Sequence, residues 1–458
     1  MILKSRKRII NLALLIGLAA VIGSCGSGHG ELIGVQDRED WYQEDPYGMM
    51  FIPHGSFNMG TSDQDVPYAQ VNPTKTVSVQ SYYMDQTEIT NNEYRQFVYW
   101  VRDSIAHVLL GNAGNPEELG EHYQMDRDGM EKEFGFQNPY KLINWNEDIE
   151  WDNPEVQYIL EDPNYGIFLP ENEQYYHMKE IDTRKLIFQY YWINYQEAAA
   201  RSNRPQGLVD RSVFIKERKD MIYPDTLAWV HDFTYSYQEP MTQNYFWHPA
   251  YDNYPVVGVN WYQARAFSIW RTQLKRSYQS YQYSAFWNDF RLPTEAEWEY
   301  ASRGGLDLNP YPWGGPYIRN ANGCFLANYK PLRGNYVDDG GFHTVIVAHY
   351  APNDFGLYDM AGNVSEWCDD AYNESTYRIG HDNNMAFSRD ANAENKTVTQ
   401  ARRVIRGGSW KDMGYYIRTG SRSYEYQDTA KSYIGFRNVQ TYLGRMKGDG
   451  PNSSNVYR

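Results

Sequence analysis

Cysteine is scarce in this 458-residue chain: Cys25, Cys324 and Cys368 are the full set. With Cys25 assigned to a leader, Cys324 and Cys368 are the one pair an oxidising compartment could join, and spacing alone does not say whether they meet. Basic residues are also in deficit, 43 Lys and Arg against 58 Asp and Glu, for a net charge of −15. That balance argues against a nucleic-acid partner, which calls for basic stripes. The ten histidines are scattered, with no His-x-x-x-His spacing. Gly-x-Ser-x-Gly, P-loop and His-Glu-x-x-His patterns are missing as well, so the hydrolase, nucleotide and zinc-protease mechanisms they carry have no footing. The longest apolar run, Ile9 to Gly23, is too short for the roughly twenty residues that span a bilayer.

That run is nevertheless informative. Lys4, Arg6, Lys7 and Arg8 precede it and Ile22-Gly23-Ser24-Cys25 closes it, the pattern of a secretory leader ending in a bacterial lipobox. A thiol is required there because it becomes the thioether to a diacylglyceryl group. Cleavage before Cys25 then frees an amine for a further acyl chain, and several chains give stable anchoring. The expectation is a leader over 1–24, lipidation at Cys25, a flexible tether over 25–45 and a body in the periplasm, hung from the outer membrane.

Aromatics make up 16% of the chain, with 42 tyrosines, which suits an interface because each ring couples apolar area to a polar tip. Short strands broken by glycine turns are predicted at Met49 to Pro53 and Gly55 to Gly60, with further strands at Val77 to Val79 and Tyr82 to Asp85. Thr90 and Glu93 have capping-box spacing, predicting a helix with Tyr94, Phe97, Val98 and Val101 on one face. From 102 to 254 the character changes. Residues 115–175 hold 16 acids and 3 bases, interleaved with Trp145, Trp151, Tyr158 and Tyr165. A disordered acidic linker carries few aromatics, so this insertion is expected to fold or to dock on a partner through Trp145, Glu147, Asp148, Glu150 and Trp151. Gln189 to Arg201, with its alanine tail, reads as helix. Asn260 is placed to cap a helix through Trp270, and Thr294 with Glu297 to start another that stops near Gly304. A polar tail follows over 441–458.

Six segments carry a family resemblance: Phe57-Asn58-Met59-Gly60, Glu88-Ile89-Thr90-Asn91, Arg291 to Arg303, Asn353 to Trp367, Arg406-Gly407-Gly408-Ser409-Trp410 and Ile434-Gly435-Phe436-Arg437. In this order they resemble the formylglycine-generating enzyme, or sulfatase-modifying factor, family. The resemblance implies an α+β body over 46–440, related to C-type lectins, with few regular elements and the 102–254 insertion. Its oxidising members bind copper through cysteines three and eight residues after the serine of Gly-Gly-Ser. Here those places hold Asp412 and Ile417, neither of which supplies the soft thiolate Cu(I) prefers. No copper and no catalysis by that route are expected.

The family's calcium loop implies ligation by Asp359 and Glu366 with the carbonyls of Gly362 and Val364, oxygen donors of the kind Ca²⁺ takes. A second site would use Asn328, Asp339 and the carbonyls of Tyr329 and Gly341. With the lipobox, Gly30 to Val35, Pro46 to Met49 and Ser62 to Asp65, the chain further resembles the GldK/PorK family of gliding-motility lipoproteins. That resemblance implies a pseudoenzyme scaffold of the type IX secretion system, ring-forming and joined to a GldN/PorN-like periplasmic protein. The alternative is a calcium-dependent, lectin-like glycan-binding surface lipoprotein.

Overall fold

Short apolar runs at Met49–Ile52 (β1) and Tyr82–Asp85 (β4) and alternating residues at Gly55–Met59 (β2) and Lys75–Val79 (β3) form strands where strands are predicted. The computed structural model describes residues 43–61, 72–113, 121–123, 143–174, 176, 178–201, 211–232, 239–280, 288–331, 335–387 and 398–444. The chain divides into a unit over 45–444 and a second made of both termini, 1–44 and 445–458. Cys25, the leader and nearly all of the tether therefore lie outside the described residues.

Within the larger unit, helix α1 (Asn91–Ala113) begins at the expected capping box: Thr90 N–H donates to Glu93 Oε2 at 2.8 Å and Glu93 N–H to Thr90 Oγ1 at 3.3 Å. It runs well past residue 102, so the compositional boundary falls inside a helix. α2 (Pro154–Leu160) is capped by Asn153. The stretch read as helix from Gln189 to Arg201 is instead mainly strand, β5 (Ile187–Ile193), followed by a five-residue helix at Tyr195–Ala199. β5 pairs antiparallel with β6 (Ile215–Met221), residue by residue from Ile187↔Met221 to Ile193↔Ile215. Alternate rings Phe188 and Tyr190 thereby enter the core, and this tertiary gain overrides the local helical signal.

α3 (Trp261–Ser280) and α4 (Glu295–Arg303) start where predicted. Gln263 N–H donates to Asn260 Oδ1 at 2.9 Å, Thr294 and Glu297 form a full capping box, and Gly304 closes α4 in the left-handed region. β7 (Phe290–Arg291), β8 (Ser365–Ala371), β9 (Arg402–Arg406), β10 (Ser423–Tyr426), β11 (Ile434–Gly435) and β12 (Val439–Thr441) complete two four-stranded sheets, β1-β4-β12-β7 and β10-β9-β8-β11. Pairing is antiparallel except for β8 with β11. The result is a mixed α+β fold rich in turns.

The main core joins α1 and α3 to the body through Tyr94, Phe97, Phe267 and Trp367, and it includes Leu186, Phe188, Tyr190 and Ile222 from the insertion. α4 carries three buried acids, and each finds an arginine: Glu295 with Arg422, Glu297 with Arg291, and Glu299 with Arg303 and Arg406. Buried charges need such pairing, because a lone one carries a large desolvation cost. Cys368 is buried and Cys324 exposed; neither is in a disulfide. No helix among the described residues is long and apolar enough to cross a membrane.

Candidate functional site at the Gly-Gly-Ser turn

The turn leaving β9 runs through Gly407 and Gly408, both at positive φ (89° and 69°). A Cβ on Gly408 would lie 2.8 Å from Ile417 Cγ2 and 2.9 Å from Tyr416 O, so glycine is needed to let the two segments touch. Ile417 is fully buried and packs with Tyr311, Ala327, Tyr329 and Ala361. Asp412 accepts from Ser409 N–H at 2.9 Å and Ser409 Oγ at 2.6 Å through the same carboxylate oxygen, Oδ2. One position aligned with a copper ligand is thus a core residue, and the other ties off the turn. Among the described residues no cluster of three or more His, Cys, Asp or Glu is arranged to hold a metal ion.

The loop from Asp359 to Glu366 docks on this turn. Gly362 N–H donates to Gly407 O at 3.0 Å and Trp410 N–H to Asn363 O at 2.9 Å. Asn363 Nδ2 donates to Glu88 Oε2 at 2.6 Å, and Val364 N–H to Glu88 Oε1 at 3.1 Å. Burial pushes the Glu88 carboxyl well up, with Asp359 and Glu366 adding to the effect. Glu88 stands in a quoted motif, yet sequence offered no reason to single out its role, because its partners lie about 275 residues away.

Of the residues assigned to the first calcium site, the two carboxylates are differently engaged. Glu366 receives Arg437 Nη2 on Oε1 at 2.6 Å, and Arg437 Nε and Trp298 Nε1 on Oε2, each at 2.7 Å. Its oxygens are committed. Asp359 is different: Oδ2 accepts from Ala348 N–H at 2.7 Å, while buried Oδ1 has no partner. Burial raises the Asp359 carboxyl to about 6. At the second set, Asp339 accepts the N–H groups of Tyr329 (3.0 Å) and Gly341 (3.4 Å), residues assigned there as carbonyl donors. Asn328 Oδ1 is buried and unpartnered. Asp359 and Asn328 therefore retain unpartnered oxygens suited to a hard cation, while the Glu366 and Asp339 carboxylates already accept hydrogen bonds.

The insertion reaches this place. Trp229 stacks on Trp410, with centroids 5.9 Å apart and an interplanar angle of 17°, and Tyr245, Val257 and Val364 complete the cluster. Of the residues assigned to partner binding, Trp145 is 44% exposed and stacks on Trp100 at 5.1 Å. Trp151 turns inward under Arg102, whose guanidinium carbon lies 4.8 Å from the ring centroid. Asp148 and Glu150 are exposed and Glu147 half-buried, on the turn between the two tryptophans. Trp145, Asp148 and Glu150 are thus exposed, while Glu147 and Trp151 are half-buried. A buried pair escaped the spacing argument altogether: His107 Nδ1 and His122 Nδ1 lie 2.9 Å apart, joined through tertiary folding at a separation of 15.

The family pattern described as "Sulfatase-modifying factor enzyme 1-like domain" matches residues 37–442. The formylglycine-generating enzyme of Streptomyces coelicolor is 34% identical over 195 residues, 40% of this chain and 52% of that enzyme. The inactive C-alpha-formylglycine-generating enzyme 2 of Bos taurus is 32% identical over 203 residues, 43% of this chain and 53% of that protein. Serine/threonine-protein kinase pkn1 of Chlamydia pneumoniae is 33% identical over 189 residues, 41% of this chain and 24% of the kinase. The matched regions thus span about half the length of the first two relatives and a quarter of the third. Among solved structures, PvdO from Pseudomonas aeruginosa covers 86% of this chain and 94% of its own at 17% identity and a TM-score of 0.42.

Proposed function

Since the chain belongs to the sulfatase-modifying factor family yet carries Asp412 and Ile417 in place of the copper cysteines, we propose that it is a non-catalytic scaffold. The observation that carries this reading is the rebuilt turn. Ile417 has become core and Asp412 a cap on Ser409, so both positions now stabilise the body. In the finer form of the proposal it is a lipoprotein of the type IX secretion and gliding machinery. Anchored through Cys25 on the periplasmic face of the outer membrane, it assembles into a ring with a GldN/PorN-like partner. Support for that form comes from the lipobox and from the exposed Trp145, Asp148 and Glu150 surface, where acids can steer a basic partner.

Cross-linking in the native envelope tests it. The proposal expects the partner and further copies of this chain in stoichiometric amounts, and expects charge reversal at Glu147, Asp148 and Glu150 to weaken the capture. Unchanged capture by that variant removes this surface from the interface. Retention on glycan arrays without envelope partners would favour the lectin-like reading instead.

A further inference from the structure

Beside Trp410 lies a cavity of about 400 Å³, within the usual small-molecule range of roughly 300–1,000 Å³. Tyr329, Tyr336, Phe342 and Trp410 supply rings, Lys330 and Lys411 supply ammonium groups, and among the described residues Asp232 is the one carboxylate in the lining. Asp232 is already engaged, accepting from Ser432 Oγ and standing 4.0 Å from Lys411 Nζ. Among the described lining residues two ammonium groups thus meet one carboxylate, in a chain of net charge −15.

The walls are fixed. Trp410 packs in a triangle of rings with Trp229, 5.9 Å away, and His343, 5.0 Å away. Lys411 Nζ is held 3.4 Å from the Tyr433 ring centroid, and burial keeps its ammonium below the ordinary lysine range. An added anion would relieve that burial cost. At the mouth, Tyr336 is 42% and Phe342 57% exposed, flat apolar surface that the fold leaves uncovered. Tyr329 and Trp410 also serve the core, but Lys330, Tyr336 and Phe342 belong to none of the core clusters described above.

We propose that this cavity binds a small organic acid with a flat apolar face, its carboxylate held by Lys330 and Lys411 and its ring against Trp410, Tyr336 and Phe342. A sugar acid and an aromatic acid share this chemistry, since lysine takes the carboxylate as a point charge and an aromatic wall accepts either ring face. A basic ligand is disfavoured by the same two lysines. The site stands independently of the scaffold reading, because no residue in it belongs to the acidic surface.

Titration calorimetry on the purified full chain tests it with two acids, D-glucuronate and 4-hydroxyphenylacetate, and their neutral counterparts, D-glucose and 4-hydroxyphenylacetamide. At least one acid should bind, with its neutral counterpart at least about tenfold weaker, the loss expected for one charged hydrogen bond. Lys330→Gln and Lys411→Gln should each weaken the acid by a similar factor, with melting temperatures showing that both variants stay folded. Phe342→Ala, at the exposed mouth, should weaken the acid and its neutral counterpart alike. Failure of both acids to bind, equal binding of acid and neutral pair, or full affinity in folded Lys330→Gln and Lys411→Gln would each overturn the proposal. Which acid binds separates the two sources. Cross-linking of the partner reports on the scaffold role alone.

Discussion

Glu366→Gln separates two incompatible roles for one carboxylate. In the structure Glu366 is fully buried and receives three hydrogen bonds, at 2.6, 2.7 and 2.7 Å, from Arg437 and Trp298. The amide keeps the shape but removes the charge opposite Arg437, and its Nε2 turns a donor toward a donor. Breaking one side of a buried pair costs about 3–5 kcal/mol. Unfolding entropy of about 2.1 cal/mol/K per residue over the 400-residue unit gives roughly 0.8 kcal/mol per kelvin, so the midpoint should fall by about 4–6 °C. Differential scanning calorimetry with and without CaCl₂ reads this directly. The fall should be the same in both buffers, and the double variant Glu366→Leu with Arg437→Met should recover much of it, because an apolar pair avoids the uncompensated charge. A drop below about 1 °C in both buffers would show that the ion-pair argument is wrong, and a drop present only with calcium would show that Glu366 serves the metal.

Ile417→Ala should cost about 2–5 kcal/mol, read as a lowered urea midpoint, since the side chain is fully buried behind Gly408. Asp359→Asn tests the remaining calcium oxygens. The folded carboxyl sits at about 6 against 3.8, so the native state binds the proton more tightly and loses stability as pH rises between those values. Without metal the amide should match or exceed the parent in melting temperature at pH 7.5, and any calcium-induced rise in the parent should vanish in it. The His107–His122 pair carries the opposite sign. Burial first, then His122, lowers the His107 value below 6.5 while Asp103 opposes, so the unfolded chain protonates first and stability falls as pH drops through that window. His107→Gln should flatten the pH dependence of the melting temperature between pH 7 and 5.

Much of the regular structure was legible because its causes are local. Thr90 with Glu93, Asn260 with Gln263 and Thr294 with Glu297 start helices within one turn of chain, and alternation marks β2 and β3. The loss of thiolate at 412 and 417 is likewise a fact of residue identity. Gln189 to Ile193 was misread because helical propensity is weak beside pairing with a strand some 25 residues on, which no local window contains. The partner of Glu366 was out of reach for a related reason. A carboxylate in a turn-rich loop has the right donor atoms for a cation, but Arg437 is 71 residues downstream and reaches them first.

Sequence by itself determined which atoms are available: no paired thiolates at the turn, an acidic surplus, abundant rings, a leader pattern ending at Cys25. Tertiary structure decided what those atoms face. It brought Trp229 of the insertion onto Trp410, set Lys330 and Lys411 around one cavity, and placed His107 against His122. Chemistry resides in side chains, but a site also requires their convergence, and convergence across 15 to 276 residues of chain is settled by packing alone.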